Sequence, residues 1–150
     1  MKNKKLFNRE VTQYASEIAK SKKVRNYLKT FQKNFAKKQN VCIEGRDIGR
    51  VICPNADIKF FFTCNLKIRA KRRWNEYRKN SSNISLLAVQ KALKIRDYSD
   101  INRKHSPLRA SKDSIVIDTS KLSKKQMLNK ISKIIDKKLL LKYGRNVKAR

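Results

Sequence analysis

The chain has 150 residues, with 40 Lys or Arg against 11 Asp or Glu, giving a formal net charge of +29 at pH 7. That length fits one domain, and a hydrophobic share of 39% supplies a core and excludes a disordered tail. The charge points to anionic partners (nucleic acid, phosphate-bearing metabolites or a membrane surface), although lysine drift in an A/T-rich coding sequence is a competing source of the excess.

The opening "MKNKKLFNREV" is basic but lacks an apolar h-region, so no signal peptide is expected. Val11, Ala15, Ile18 and Ala19 then recur at helical spacing. After "KSKK", Val24, Tyr27, Leu28, Phe31 and Phe35 fall on one helical face, a stripe expected to pack on a sheet. "VCIEG" (41–45) and "IKFFFT" (58–63) are apolar, β-branched or aromatic, and bounded by turn residues, so both read as short buried strands.

Asn65 is placed to cap a helix through "LKIRAKRRWNEYRKN". Another helix is expected from about Ile84 to Arg103, ending before Pro107. "SIVIDTS" (114–120) is a third strand. The last helix starts at Ser123, which has capping-box spacing to Gln126. Its stripe is Met127, Leu128, Ile131, Ile134, Ile135 and Leu139. The closing "KYGRNVKAR" is expected to be a frayed, solvated tail. Continuous apolar strands separated by helices predict an α/β fold whose parallel sheet is covered on both faces.

Cys42, Cys53 and Cys64 form no C-x-x-C pair, and His105 is the only histidine, so a structural zinc site is discounted. The thiols read as buried cysteines of a reducing cytosol. No apolar run approaches a membrane span.

Three constellations carry the candidate chemistry. Arg46 and Asp47 follow a strand expectation, where open α/β sheets place their ligands. An arginine fork suits phosphate there, while pairing of Arg46 and Asp47 with each other or with Glu44 is the structural alternative. Arg96, Asp100 and Arg103 share one helical face. Such spacing makes either a solvated salt-bridge ladder or a clasp for a phosphorylated sugar. Arg69, Arg72 and Arg73, with Glu76 one turn on, are either exposed helix or a clamp on a transferring phosphoryl group.

In order and spacing, "EGRDIG", "PNADIKFFFT", "RAKRRWNEY", "IRDYSDINRKHSPL" and "IVIDTSKLS" resemble bacterial cytidylate kinase. "EVTQYASEIAKSKKVRNYLKTFQKNFA" is similar to the segment that precedes the Gly-Arg-Asp motif there. The resemblance covers residues 10 to 135. It implies a P-loop nucleoside monophosphate kinase that moves the γ-phosphoryl group of ATP, with Mg²⁺, to CMP or dCMP. It implies that Ser16 reads the cytosine ring and that Arg25 holds the acceptor phosphate. Arg46 and Asp47 would contact acceptor phosphate and base, and Arg96 and Arg103 the phosphate side. Asp100 would hold sugar hydroxyls, and Arg69, Arg72 and Arg73 would form a mobile lid over the donor phosphates.

The chain departs from that family in one large respect. Its only glycines are Gly45, Gly49 and Gly144, and no Gly-Lys-Ser or Gly-Lys-Thr occurs. Arg50 also stands where the family has threonine, and Phe7, with Arg9 out of register, lies where it has arginine before "EV". The expectation is an incomplete three-layer fold lacking the first strand and P-loop. Within the C-terminal portion of one kinase domain, acceptor-side helices span 1–40 and two core strands 41–64. Lid and acceptor-binding helices span 65–106, the last strand and helix 107–140, and the tail 141–150. The chain alone would then be impaired or inactive, with a separate N-terminal P-loop fragment as the partner to seek. The competing readings are a basic RNA-binding protein, supported by charge and by Trp74 and Tyr77, and a decayed remnant.

Overall fold

The computed structural model describes residues 9–38, 40–79 and 83–144, and of Arg9, Glu10, Thr12, Gln13 and Ser16 the backbone alone. The chain divides into two compact units, one from Met1–Asn55 and Lys94–Arg109, the other from Ala56–Leu93 and Ala110–Arg150.

In the first unit, α1 (Arg9–Ile18) is followed by α2 (Lys22–Ala36). Ser21 caps α2 by accepting from the Val24 N–H at 3.5 Å, so one unpaired amide of the first turn is satisfied. α2 meets a π-helical turn, Ile48–Ile52, closed by the Cys53 N–H on the Ile48 carbonyl at 2.8 Å. Ile52 is the buried residue of that turn. The apolar stripe of α2 does not pack on a sheet: Tyr27 is 80% and Phe31 69% exposed, and Leu28 and Phe35 are exposed too. A five-residue turn is too small to cover four large side chains.

The expected strand at 41–45 is also absent. An apolar run becomes a strand only when a neighbour takes its backbone N–H and C=O groups, and the sheet joins two other segments. So of the two core strands expected in 41–64, one forms. Cys42 is consequently exposed, and Cys53 and Cys64 are only partly buried, contrary to the expectation of buried thiols.

The second unit holds that sheet. β1 (Phe60–Thr63) and β2 (Ile115–Asp118) run parallel, with Phe60 opposite Ile115 and Thr63 opposite Asp118. The ladder extends by the Ile115 N–H on the Lys59 carbonyl and the Thr119 N–H on the Thr63 carbonyl. Phe62 and Val116 remain exposed, so the sheet is not covered on both faces. α3 (Leu66–Lys79) begins at Asn65, whose Oδ1 accepts from the Lys67 N–H at 2.9 Å, as its sequence position predicts. The Trp74 indole N–H donates to the Ile84 carbonyl at 2.8 Å. α4 (Leu86–Asn102) starts with the Ala88 N–H on Ser85 Oγ and contributes to both units.

α5 (Lys124–Tyr143) carries the predicted box: Ser123 Oγ accepts from the Gln126 N–H, and Gln126 Oε1 from the Ser123 N–H. It runs past the expected end at 140 and closes at Gly144, whose φ of +62° lies in the left-handed region open to glycine. The remainder of the predicted tail, 145–150, lies outside the described residues. Ala70, Val89 and Ile117 form the fully buried centre of this unit.

Candidate functional site

The first unit gathers six of the predicted site residues from three separate segments. Gly45 opens the turn. A Cβ at this position would fall 2.5 Å from Cγ1 of Ile48, so the close return of the chain requires glycine. Asp47 sits at the start of the π-helical turn, and its carbonyl accepts from the Arg50 and Val51 N–H groups. The Asp47 side chain makes no capping bond to the turn and meets instead arginines of neighbouring segments. Arg25, from the first turn of α2, donates through Nη2 to Asp47 Oδ2 and through Nη1 to the Ala19 carbonyl at 3.3 Å.

Asp100 is the second hub. Arg103 Nη1 donates to its Oδ1 at 3.3 Å, while Arg46 Nε and Arg96 Nε lie 3.4 and 4.0 Å from Oδ2. Arg103 joins the hubs, because its Nη2 is 3.7 Å from Asp47 Oδ1. The side chains of Asp100 and Arg103 are each only 10% exposed, whereas those of Arg46 and Arg96 are 35% and 34% exposed. Burial, and then the neighbouring Arg25 charge, hold Arg103 below the ordinary arginine value, against the opposing pull of Asp100 and Asp47. A cavity of about 340 Å³ lies beside this cluster, lined by Lys20, Ser99, Asn102, Arg103, Lys104 and His105.

Of the sequence alternatives for these residues, the solvated ladder is excluded for Asp100 and Arg103 by their burial. Asp47 pairs with Arg25 and Arg103, and Arg46 with Asp100. The side chain of Ser16 lies outside the described residues. Sequence reasoning did not pick out Lys20, the Ala19 carbonyl or the Ser106 carbonyl, since backbone acceptors have no residue-type signal.

The three arginines of α3 belong to the second unit, and Arg72 and Arg73 are engaged within it. Arg72 Nη2 donates to the carbonyls of Thr119 at 2.7 Å and Leu122 at 3.1 Å, and its Nη1 reaches Thr119 Oγ1 and Cys64 Sγ. Arg73 pairs with Glu76 at 2.9 Å and stacks over the Tyr77 ring. Glu76 and Tyr77 raise the Arg73 pKa against the lowering by burial, which is the largest single influence. Arg69 is partly buried on the same helix.

The first unit of this α/β fold thus brings four guanidinium groups around the buried Asp100 and the partly buried Asp47. The sequence model of the cytidylate kinase family matches residues 1–137, and the chain belongs to that family. It is 43% identical over 132 residues to a cytidylate kinase of Clostridium botulinum (strain Okra / Type B1), covering 88% of this chain and 59% of the relative. It is 39% identical over 132 residues to a cytidylate kinase of Thermosipho melanesiensis, covering 88% of this chain and 61% of the relative. With the cytidylate kinase of Thermotoga neapolitana the identity is 38% over 125 residues, 83% of this chain and 57% of the relative. The chain thus spans about three fifths of the length of these relatives. The family match leaves the RNA-binding reading without support.

The chain has no Gly-Lys-Ser or Gly-Lys-Thr, and among the described residues no three His, Cys, Asp or Glu side chains converge as metal ligands. Among the described residues no helix is long and apolar enough to cross a membrane.

Proposed function

We propose that these residues build the acceptor half of a nucleoside monophosphate kinase that converts CMP or dCMP to the diphosphate. The observation that carries the reading is the charge of the cluster around Asp47 and Asp100. Four arginines against two carboxylates leave two positive charges, matching a phosphate monoester with most of its second proton lost at neutral pH. Arg46 and Arg96, a third exposed, are the side chains able to turn their forks to such a group. The carboxylates hold the guanidinium groups in place before a ligand arrives, which reduces the ordering cost of binding. Cytosine and ribose contacts, assigned by resemblance to Ser16, Asp47 and Asp100, belong to the same proposal.

Arg69, Arg72 and Arg73 are the candidate clamp on the transferring group, with ATP as donor and Mg²⁺ as its counter-ion in a cytoplasmic enzyme of pyrimidine nucleotide metabolism. The organisation into one kinase domain, with acceptor-side helices ahead of the lid helix, is part of this reading. A P-loop from outside these 150 residues would have to supply the donor cradle, because these residues lack it.

The test is a thermal melt of the 150-residue chain with CMP, paired with a turnover assay in ATP, Mg²⁺ and CMP. CMP is expected to raise the melting temperature while turnover stays far below the roughly 1–100 s⁻¹ typical of kinases. A melting temperature indifferent to millimolar CMP would contradict the acceptor assignment, and turnover at a normal rate would contradict the missing donor cradle.

A further inference from the structure

The loop after α4 contains a backbone feature that the acceptor reading does not use. Ser106 has φ +52°, in the left-handed region that side-chain-bearing residues rarely adopt, and it is followed directly by Pro107, which restricts it further. Such a conformation persists only where surrounding contacts over-determine it. Here the contacts are visible. The Leu108 N–H donates to the Asp100 carbonyl at 2.8 Å, closing the loop onto the last turn of α4. Within the loop so closed, the Ser106 carbonyl accepts from Arg103 Nε at 2.7 Å.

That bond changes what Arg103 is able to do. Its Nε donates to Ser106 and its Nη1 to Asp100, while its buried Nη2 makes no hydrogen bond and lies 3.7 Å from Asp47 Oδ1, with the side chain 10% exposed. A guanidinium anchored through Nε and Nη1 is held in one orientation, as a strut between the two carboxylates. We infer that Ser106 is a positioning residue: its left-handed backbone presents the carbonyl that orients Arg103, and Arg103 in turn fixes the separation of Asp47 and Asp100. The inference deepens the acceptor reading and rests on it for its purpose, since the carboxylates so fixed are the ones that orient Arg46 and Arg96.

The test uses the full chain with Ser106→Gly, which keeps the left-handed backbone accessible, and Ser106→Ile, whose branched Cβ disfavours it. The first readout needs no ligand: hydrogen exchange of the Arg103 Nε–H by ¹⁵N NMR, with the signal identified from its loss in Arg103→Lys. Slow exchange is expected in wild type and Ser106→Gly, and exchange faster by tenfold or more in Ser106→Ile with an unchanged far-UV circular dichroism spectrum. The second readout is CMP affinity, expected to be retained in Ser106→Gly and weakened at least tenfold in Ser106→Ile. A Ser106→Ile chain that matches wild type in both readouts overturns the inference. So does a Ser106→Gly chain that fails like Ser106→Ile, because the side chain and not the backbone would then matter. Wild-type chain with a protected Nε–H but no CMP binding overturns the acceptor reading while leaving the Arg103 anchor in place.

Discussion

Arg103 and Asp47, from the two separate segments of the first unit, lie 3.7 Å apart, and Arg103 also donates to Asp100 at 3.3 Å. The two acidic hubs of the site are therefore joined by one buried cation. Removing a hub strands the arginines around it, since an unpaired buried charge costs more than the intact pair gains. Asp100→Ala is expected to destabilise the chain by about 3 kcal/mol, read as a lower urea midpoint with unchanged slope. A midpoint within error of wild type would mean that water, and not Asp100, satisfies Arg46, Arg96 and Arg103.

Gly45 and Ile48 make a second coupled pair. Gly45→Ala forces Ile48 aside and is expected to cost about 1–3 kcal/mol as overpacking. Ile48→Ala removes the obstructing Cγ1, so the double variant should be more stable than the sum of the single losses. Strict additivity in the urea double-mutant cycle would show that the close approach at Gly45 is unimportant.

Arg72 is docked on the chain beyond β2, on the carbonyls of Thr119 and Leu122. Because the residue is itself exposed, Arg72→Ala is expected to cost only about 1 kcal/mol, with faster amide exchange through 119–122. Unchanged exchange there would remove the anchoring role.

The Lys59 ammonium donates to Asp113 at 2.5 Å, and that bond, followed by one from Ser111, lowers the Asp113 pKa. A folded-state pKa below the unfolded one adds stability that is complete above the unfolded value of about 3.9 and is lost as pH falls through the lowered value. Wild type should therefore exceed Asp113→Asn in stability at neutral pH, and the gap should close on acidification. A gap that stays constant from neutral pH to pH 2 would contradict the assignment.

Local signals in the sequence were reliable wherever the cause was local. Asn65, and Ser123 with Gln126, cap helices through bonds made within a few residues, and their side-chain chemistry is written in the chain. β1 and β2 were legible because both are short apolar runs with a partner to pair with. "VCIEG" has the same composition and forms no strand, since pairing depends on a neighbour that its own letters do not encode. The stripe of α2 has the right spacing for burial, yet Tyr27 and Phe31 stay exposed for lack of a surface to cover them. In the site, Arg46, Asp47, Arg96, Asp100 and Arg103 stand out from their own spacing, and Arg25 only through the family resemblance. What the motifs did not contain was the division of labour, with the Arg103 side chain 10% exposed and those of Arg46 and Arg96 a third exposed. Burial and backbone acceptors such as the Ser106 carbonyl set that division.

The most direct test of the account is isothermal titration of CMP and of cytidine into wild type, Arg46→Ala and Arg96→Ala. Arg46 and Arg96, a third exposed, are predicted to read the phosphate. CMP should therefore bind wild type while cytidine does not, and each substitution should weaken CMP by about tenfold or more, about 1.4 kcal/mol. Equal affinity for CMP and cytidine, or CMP binding unchanged by both substitutions, would contradict the claim that this cluster receives a phosphate monoester.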